Sequence, residues 1–277
     1  MRLSRIHTLG HRSSLLTFTF LQLLFAIGPG CSVKESRDEC PCILSLIYDA
    51  SSREMIAEGV SVRIEMSGEN GREVRDSFFR SEETTVFRTA ICRGTVKALS
   101  VWPGSTPLED PGTGLWIRIP EGMQCPEIWT GLAVTDTERD EASADIKLRK
   151  NYCNIFMTLT GGGEGLEFVV RGNVCGYDCD GIPVHGPFSA TAVAQEGSRS
   201  SYSVKVPRQA DNSLKLDIFS SDGGLRTFAI GNYIDSSGYD WTSEDLKDIN
   251  LEINYAATSV ILLIDNWRTV IDFTTII

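Results

Sequence analysis

From Ile43 onward apolar and polar residues take turns almost strictly, and this alternation confines the chain to half-buried β-strands. "VSVRIEM" sets Val60, Val62, Ile64 and Met66 against Ser61, Arg63 and Glu65. "ILSLIYDA" separates Leu44, Leu46 and Tyr48 from Ser45 and Asp49, and "GLWIRIP" does the same with Leu115, Ile117 and Ile119. Successive side chains of a strand point to opposite faces, so each run offers one face to a core and one to water. Gly- and Pro-rich loops such as "SGENG" and "WPGSTPLEDPGTG" punctuate the runs. No stretch carries a long stripe of helical period. "TSEDLKDINLEI" could open with one helical turn capped by Thr242 or Ser243.

Charges gather and apolar residues thin out in "DTERDEASADIKLRKN", Asp136 to Asn151. Past that cluster a second succession of alternating runs begins, from "YCNIFMTLTG" through "LRTFAIGNY" and "SVILLI" to "RTVIDFTTII". Many short strands at even spacing fit sandwiches. The expected fold class is all-β, with two tandem β-sandwich domains over residues 40–144 and 145–277.

The amino end follows other rules. Arg2, Arg5 and Arg12 precede an apolar run from Leu15 to Ile27, and no acid occurs before Cys31. Thirteen residues are too few to cross a bilayer as a helix, which takes about 20. A basic start, a short apolar core and small residues describe a secretory signal, expected over residues 1–30. Two readings of Cys31 follow. In one it becomes the first mature residue and carries lipid, with residues 31–39 as a hydrophilic tether. In the other the protein is simply secreted and Cys31 enters a disulfide. The first is preferred, although Gly28 stands where a lipoprotein signal usually has leucine. Several acyl chains would hold the protein on a membrane far better than one.

The whole chain has 26 Lys and Arg against 37 Asp and Glu, a net charge of −11. Losing the three arginines of the signal takes it to −14. So acidic a chain is a poor match for nucleic acid, and attachment to a membrane would have to come through lipid. Besides Cys31 there are Cys40, Cys42, Cys92, Cys125, Cys153, Cys175 and Cys179, an odd number whose connectivity spacing does not give. Cys40-Pro41-Cys42 is too tight for an easy internal bridge, so its members pair elsewhere or stay reduced.

Catalytic signatures are missing from the pattern. His185, in "IPVHGPF", is the one histidine past the signal, and it reads as a loop residue rather than a base. "TGGGEG", Thr160 to Gly165, lacks the Lys-Ser/Thr ending of a phosphate loop and reads as a hairpin turn. "YDCDG", Tyr177 to Gly181, begins like a calcium loop without its closing glutamate, and reads as a turn with Gly181 at positive φ. No enzyme, metal or cofactor is expected, apart from covalent lipid on Cys31. Trp102, Trp116, Trp129 and Trp241 are expected as buried anchors more than as ligand platforms.

Several segments in order resemble a known family. They are the lipoprotein-type signal, "CPCILSLIYDA", "EIWTGLAV", "KLRKNYCNIFMTLTG", "GYDCDGIPV" and the long ending "TFAIGNYIDSSGYDWTSEDLKDINLEINYAATSVILLIDNW". Together they are similar to the FimB-like minor fimbrial anchor proteins of Bacteroidales type V pili. The resemblance implies two transthyretin-like sandwiches, lipid attachment to the outer membrane at Cys31, and fimbrial stalk subunits as partners. Cys92, Cys125, Cys153, Cys175 and Cys179 are not part of the family pattern. Joining to a stalk would proceed by strand addition, for which an alternating end is suited. Val270 and Ile276 fall on one face of "RTVIDFTTII", Ile271 and Phe273 on the other, and these four are the candidate partner-binding residues. The same segment also reads as a plain last strand of the second sandwich. A surface lipoprotein or tip adhesin for a host protein or glycan is the alternative function.

Overall fold

The computed structural model describes residues 40–68, 71–108, 115–161, 165–198, 200–256, 259–264 and 267–272. Cys40–Ile277 is one compact unit. Strand follows strand, as the alternation requires. The first nine are β1 (Cys42–Tyr48), β2 (Val60–Gly68), β3 (Gly71–Phe79), β4 (Val86–Ile91), β5 (Thr95–Trp102), β6 (Ile117–Arg118), β7 (Trp129–Asp136), β8 (Glu141–Ile146) and β9 (Arg149–Lys150). A single 3-10 turn, Ala50–Ser52, and a short helix α1 (Arg53–Glu58) join β1 to β2. The Asp49 side chain caps that turn by accepting from the Ser52 amide at 3.1 Å. The rest are β10 (Tyr152–Thr160), β11 (Glu167–Tyr177), β12 (Pro183–Thr191), β13 (Val193–Ala194), β14 (Ser201–Pro207), β15 (Lys215–Phe219), β16 (Leu225–Phe228), helix α2 (Ile230–Ser236), β17 (Ile249–Asn254), β18 (Ser259–Ile264) and β19 (Trp267–Asp272).

These strands make four sheets, ordered β4-β1-β8, β3-β2-β5-β7-β9, β12-β11-β15-β16 and β13-β14-β10-β17-β18-β19. The first two enclose one apolar cluster, with Leu44, Leu46, Val60, Val62, Ile64 and Val96 all fully buried. A second cluster lies between the other two, around Ile155, Phe168, Val170, Val204, Leu216 and Ile249. Each such side chain contributes about 1.5–3 kcal/mol on burial, which is why the alternation fixes strand register so firmly. β1 is the middle of its sheet, antiparallel to β4 and parallel to β8.

Several sequence expectations need correcting. The boundary drawn between Ala144 and Asp145 falls inside β8, and the chain leaves the first pair of sheets after β9, at Asn151. The charge cluster taken for a junction is therefore two strands. Residues 115–128 depart the other way. β6 pairs with β11, the Trp116 amide donates to the Tyr177 carbonyl at 2.7 Å, and Trp116, Ile119, Cys125 and Ile128 are buried in the second cluster. Gly176 makes this approach possible, since a Cβ there would lie 2.0 Å from the Ile117 carbonyl oxygen. "TGGGEG" is no hairpin turn: β10 pairs with β14 and β17, β11 with β12, β15 and β6, so the chain crosses between sheets. "LRTFAIGNY" is half strand, half helix α2, and residues 241–248 form turns with no helix. His185 belongs to β12, exposed, rather than to a loop.

Candidate functional site

Two features could meet a partner: the open edges of the sheets and a groove where the two sandwiches join. Among the described residues β19 is the last strand of the six-stranded sheet, running antiparallel to β18 from Ile264 with Trp267 to Ser259 with Asp272. Val270 and Ile271 are therefore placed on an edge strand, opposite Ile261 and Val260. Phe273 and Ile276 lie outside the described residues, as does Cys31. β3 is another long edge, as is β12; among the described residues β3 pairs with β2 alone. The alternating charges of β3, Arg72, Glu73, Arg75 and Asp76, are the usual guard of an edge against promiscuous pairing. Arg75 also donates to the Ala90 carbonyl of β4 at 2.8 Å, which blunts the neighbouring edge.

The groove, about 1100 Å³, is lined by β1, β7 and β8 on one side and by the β11–β12 turn and residues 208–210 and 241–244 on the other. Ile47, Leu132 and Ile182 are exposed apolar residues along it. Sequence reasoning missed this place, because its parts come from distant segments. The turn itself was foreseen: Gly181 has φ of 73°, and Asp178 Oδ1 accepts from the amides of Asp180 and Ile182, both at 2.9 Å.

Beneath the groove a polar node fastens the sandwiches together. Arg208 Nε donates to Asn151 Oδ1 at 2.8 Å. Its two terminal nitrogens donate to the carbonyls of Trp241, Ser243, Lys150 and Glu244. All five guanidinium donors are thus engaged. The Tyr177 hydroxyl donates to the Asn151 carbonyl and accepts from the Arg208 amide, and the Asn151 side chain reaches Thr130 of β7. Nearby, Lys97 of β5 pairs with Asp180 of the turn, and Arg149 with Glu244.

Burial raises the Tyr177 phenol well above its ordinary value and lowers the Arg208 guanidinium. Tyr177 stays protonated at neutral pH, and Arg208 has every donor committed, so neither is placed to move a proton. Cys125 and Cys153 are buried thiols, likewise pushed up by burial, Cys153 to about 12. No group of three or more metal-ligating side chains occurs among the described residues. No helix among them is long and apolar enough to cross a membrane.

No family model matches the sequence, and no curated protein matches it. Solved structures do. A candidate adhesin from Bacteroides ovatus aligns with TM-score 0.58 at 12% identity, over 85% of this chain and 96% of that one. The fimbrial anchor protein Mfa2 from Porphyromonas gingivalis aligns with TM-score 0.57 at 11% identity, over 83% and 99%. A candidate polysaccharide-binding protein from Bacteroides thetaiotaomicron gives 0.59 at 9% identity, over 83% and 98%. The chain shares the fold of these proteins, and the resemblance to fimbrial anchors holds at that level.

Proposed function

We propose that this protein is a non-catalytic subunit of a surface fimbria. In this reading it is attached to the outer membrane by lipid on Cys31 and joined to stalk subunits by strand addition at its carboxyl-terminal edge. The observation that carries the reading is the shared fold with a fimbrial anchor along nearly the whole of that protein. The edge position of β19 supports the mode of joining, because an edge strand has backbone donors and acceptors left for a neighbour. A ligand-binding role on the surface is the second reading, supported by the apolar residues along the groove.

The test is retention. Replace Cys31 with Ala and follow metabolic lipid labelling, membrane fractionation and co-purification with polymeric stalk. Loss of label and release from membranes are expected. A variant that fractionates with membranes as the native chain does would overturn lipid attachment. Native protein that never co-purifies with a polymer but is retained by an immobilised glycan would favour the second reading.

A further inference from the structure

Cys40 and Cys92 are both exposed free thiols, and each lies just beyond the same open end of the β1–β4 ladder. The ladder runs from Ile47 with Val86 to Cys42 with Ile91. One step further sets Pro41 opposite Cys92, so Cys40 and Cys92 stand a single residue out of register. Were the ladder to run on by that step, with strands about 5 Å apart and a rise of about 3.3 Å, their Cα atoms would stand about 6 Å apart. Disulfides span roughly 4.4–6.8 Å between Cα atoms.

Side chains hold both residues in place. Arg93 Nε donates to the Cys40 carbonyl at 3.0 Å, while its other nitrogens reach the Glu138 carbonyl and the Asp140 carboxylate. The Thr137 hydroxyl donates to the Cys92 carbonyl at 3.2 Å. Both cysteines lie just past the last paired residues, so strand alternation does not force them to opposite faces. Cys92 Sγ lies 3.9 Å from Glu73 Oε2, an exposed contact that a turn about χ1 would exchange for the bond to Cys40.

The other described cysteines are poor rivals. Cys42 is buried in the first apolar cluster and Cys125 and Cys153 in the second. Cys175 Sγ packs against the Val184 carbonyl, and Cys179 belongs to the β11–β12 turn, beside the Asp180 that pairs with Lys97.

We propose that Cys40 and Cys92 close a disulfide that locks the first residue of the folded unit to β4. The oxidant is a dithiol oxidoreductase carrying a reactive disulfide, or glutathione disulfide in the test tube. One cysteine thiolate attacks a sulfur of that disulfide and displaces the other sulfur as a thiolate. The second cysteine, as thiolate, then attacks the mixed disulfide and releases the remaining thiol of the oxidant. Two protein thiols are oxidised to one disulfide, and the oxidant disulfide is reduced to two thiols. The bond rests on the exported location proposed above, where disulfides persist. A pull on the chain that precedes Cys40 would then reach β4 through a covalent bond as well as through the β1 ladder.

The full-length chain is equilibrated in a glutathione buffer rich in the disulfide, alkylated, digested without reductant and analysed by mass spectrometry. The expected result is a linked peptide pair joining Cys40 to Cys92. Its reduction should lower the Tm by about 10 °C, since the bond closes a loop of about 50 residues. Cys92→Ser and Cys40→Ser should each abolish the linked pair, leave the remaining partner alkylated, and melt with the reduced chain. Both thiols fully alkylated in a chain with native circular dichroism would overturn the proposal. So would a Cys40 linkage to any other cysteine. Because glutathione supplies the oxidant, failure here counts against the pairing and not against the exported location.

Discussion

Arg208 Nε lies 2.8 Å from Asn151 Oδ1, and through that bond the sequence immediately after β14 holds the point where the chain passes from one sandwich to the other. Asn151 in turn reaches Thr130 on β7 and Tyr177 on β11. A guanidinium with five donors suits this place because four carbonyls and one amide oxygen converge on it. A lysine offers three donors on a compact head and cannot span them.

We therefore expect Arg208→Ala to cost about 3 kcal/mol, since it strands several carbonyls and a buried asparagine side chain. Arg208→Lys should recover only a minor part. Urea unfolding with a shared m-value checks both. A Lys variant indistinguishable from the native chain would show that charge alone matters here.

Gly176 sets a second expectation. With the Ile117 carbonyl oxygen 2.0 Å from where a Cβ would sit, Gly176→Ala must push β6 away from β11. Overpacking of this kind costs about 1–3 kcal/mol. Because β6 carries Trp116 and Ile119 into the second cluster, near-ultraviolet dichroism should weaken along with the denaturation midpoint.

Asp248 should contribute to acid sensitivity. Burial would raise its carboxyl. Lys150 Nζ at 2.6 Å, together with the amide and side chain of Asn154, outweighs burial and holds it below the ordinary carboxylate value. A lowered folded pKa means the group stabilises the fold above its unfolded value near 3.9 and loses that contribution as pH falls through the folded value. Asp248→Asn should therefore flatten the fall of stability between about pH 5 and pH 2. An unchanged pH profile would count against the pairing.

Cys153 offers a chemical readout. Burial, partly offset by the Tyr239 hydroxyl, pushes its thiol up to about 12. At pH 8 about one molecule in ten thousand carries the thiolate that alkylating reagents need. Cys153 should be labelled by iodoacetamide only after unfolding, as should the buried Cys125. Fast native labelling of either would mean that the second cluster opens locally.

Much of the fold was legible because period two leaves a strong trace. Val60, Val62, Ile64 and Met66 all point inward as their spacing says. Alternation does not say which strands pair, however. That is why "TGGGEG" reads as a hairpin turn while the chain crosses between sheets there. The charge cluster around β8 misleads for a related reason: Glu141, Ser143 and Asp145 are the solvent face of an edge strand, where charge guards against pairing. Helix α2 is only seven residues long, and its two buried isoleucines, Ile230 and Ile234, are four apart, a spacing that one face of a strand shares with one face of a helix. The expected cap at Thr242 fails because Asp240 Oδ1 takes its amide, while Arg208 draws in the carbonyls on either side. The groove and its node left no trace, since Thr130, Asn151, Tyr177 and Arg208 meet only in three dimensions.

The carboxyl-terminal edge gives the sharpest test of strand addition. In an antiparallel pair the amides of adjacent residues point to opposite sides, so one of Val270 and Ile271 donates toward β18 and the other points outward. Proline removes that donor and little else at an edge. Val270→Pro and Ile271→Pro thus form a matched pair. One should lose a ladder bond and melt earlier; the other should melt as the native chain does. If a stalk subunit adds its strand along β19, the variant with the unchanged melt will lose attachment to the fibre, because only the outward ladder has been interrupted. Attachment retained by that variant would place the joint elsewhere, with the guarded edge of β3 and the groove beside Ile182 the next surfaces to interrupt.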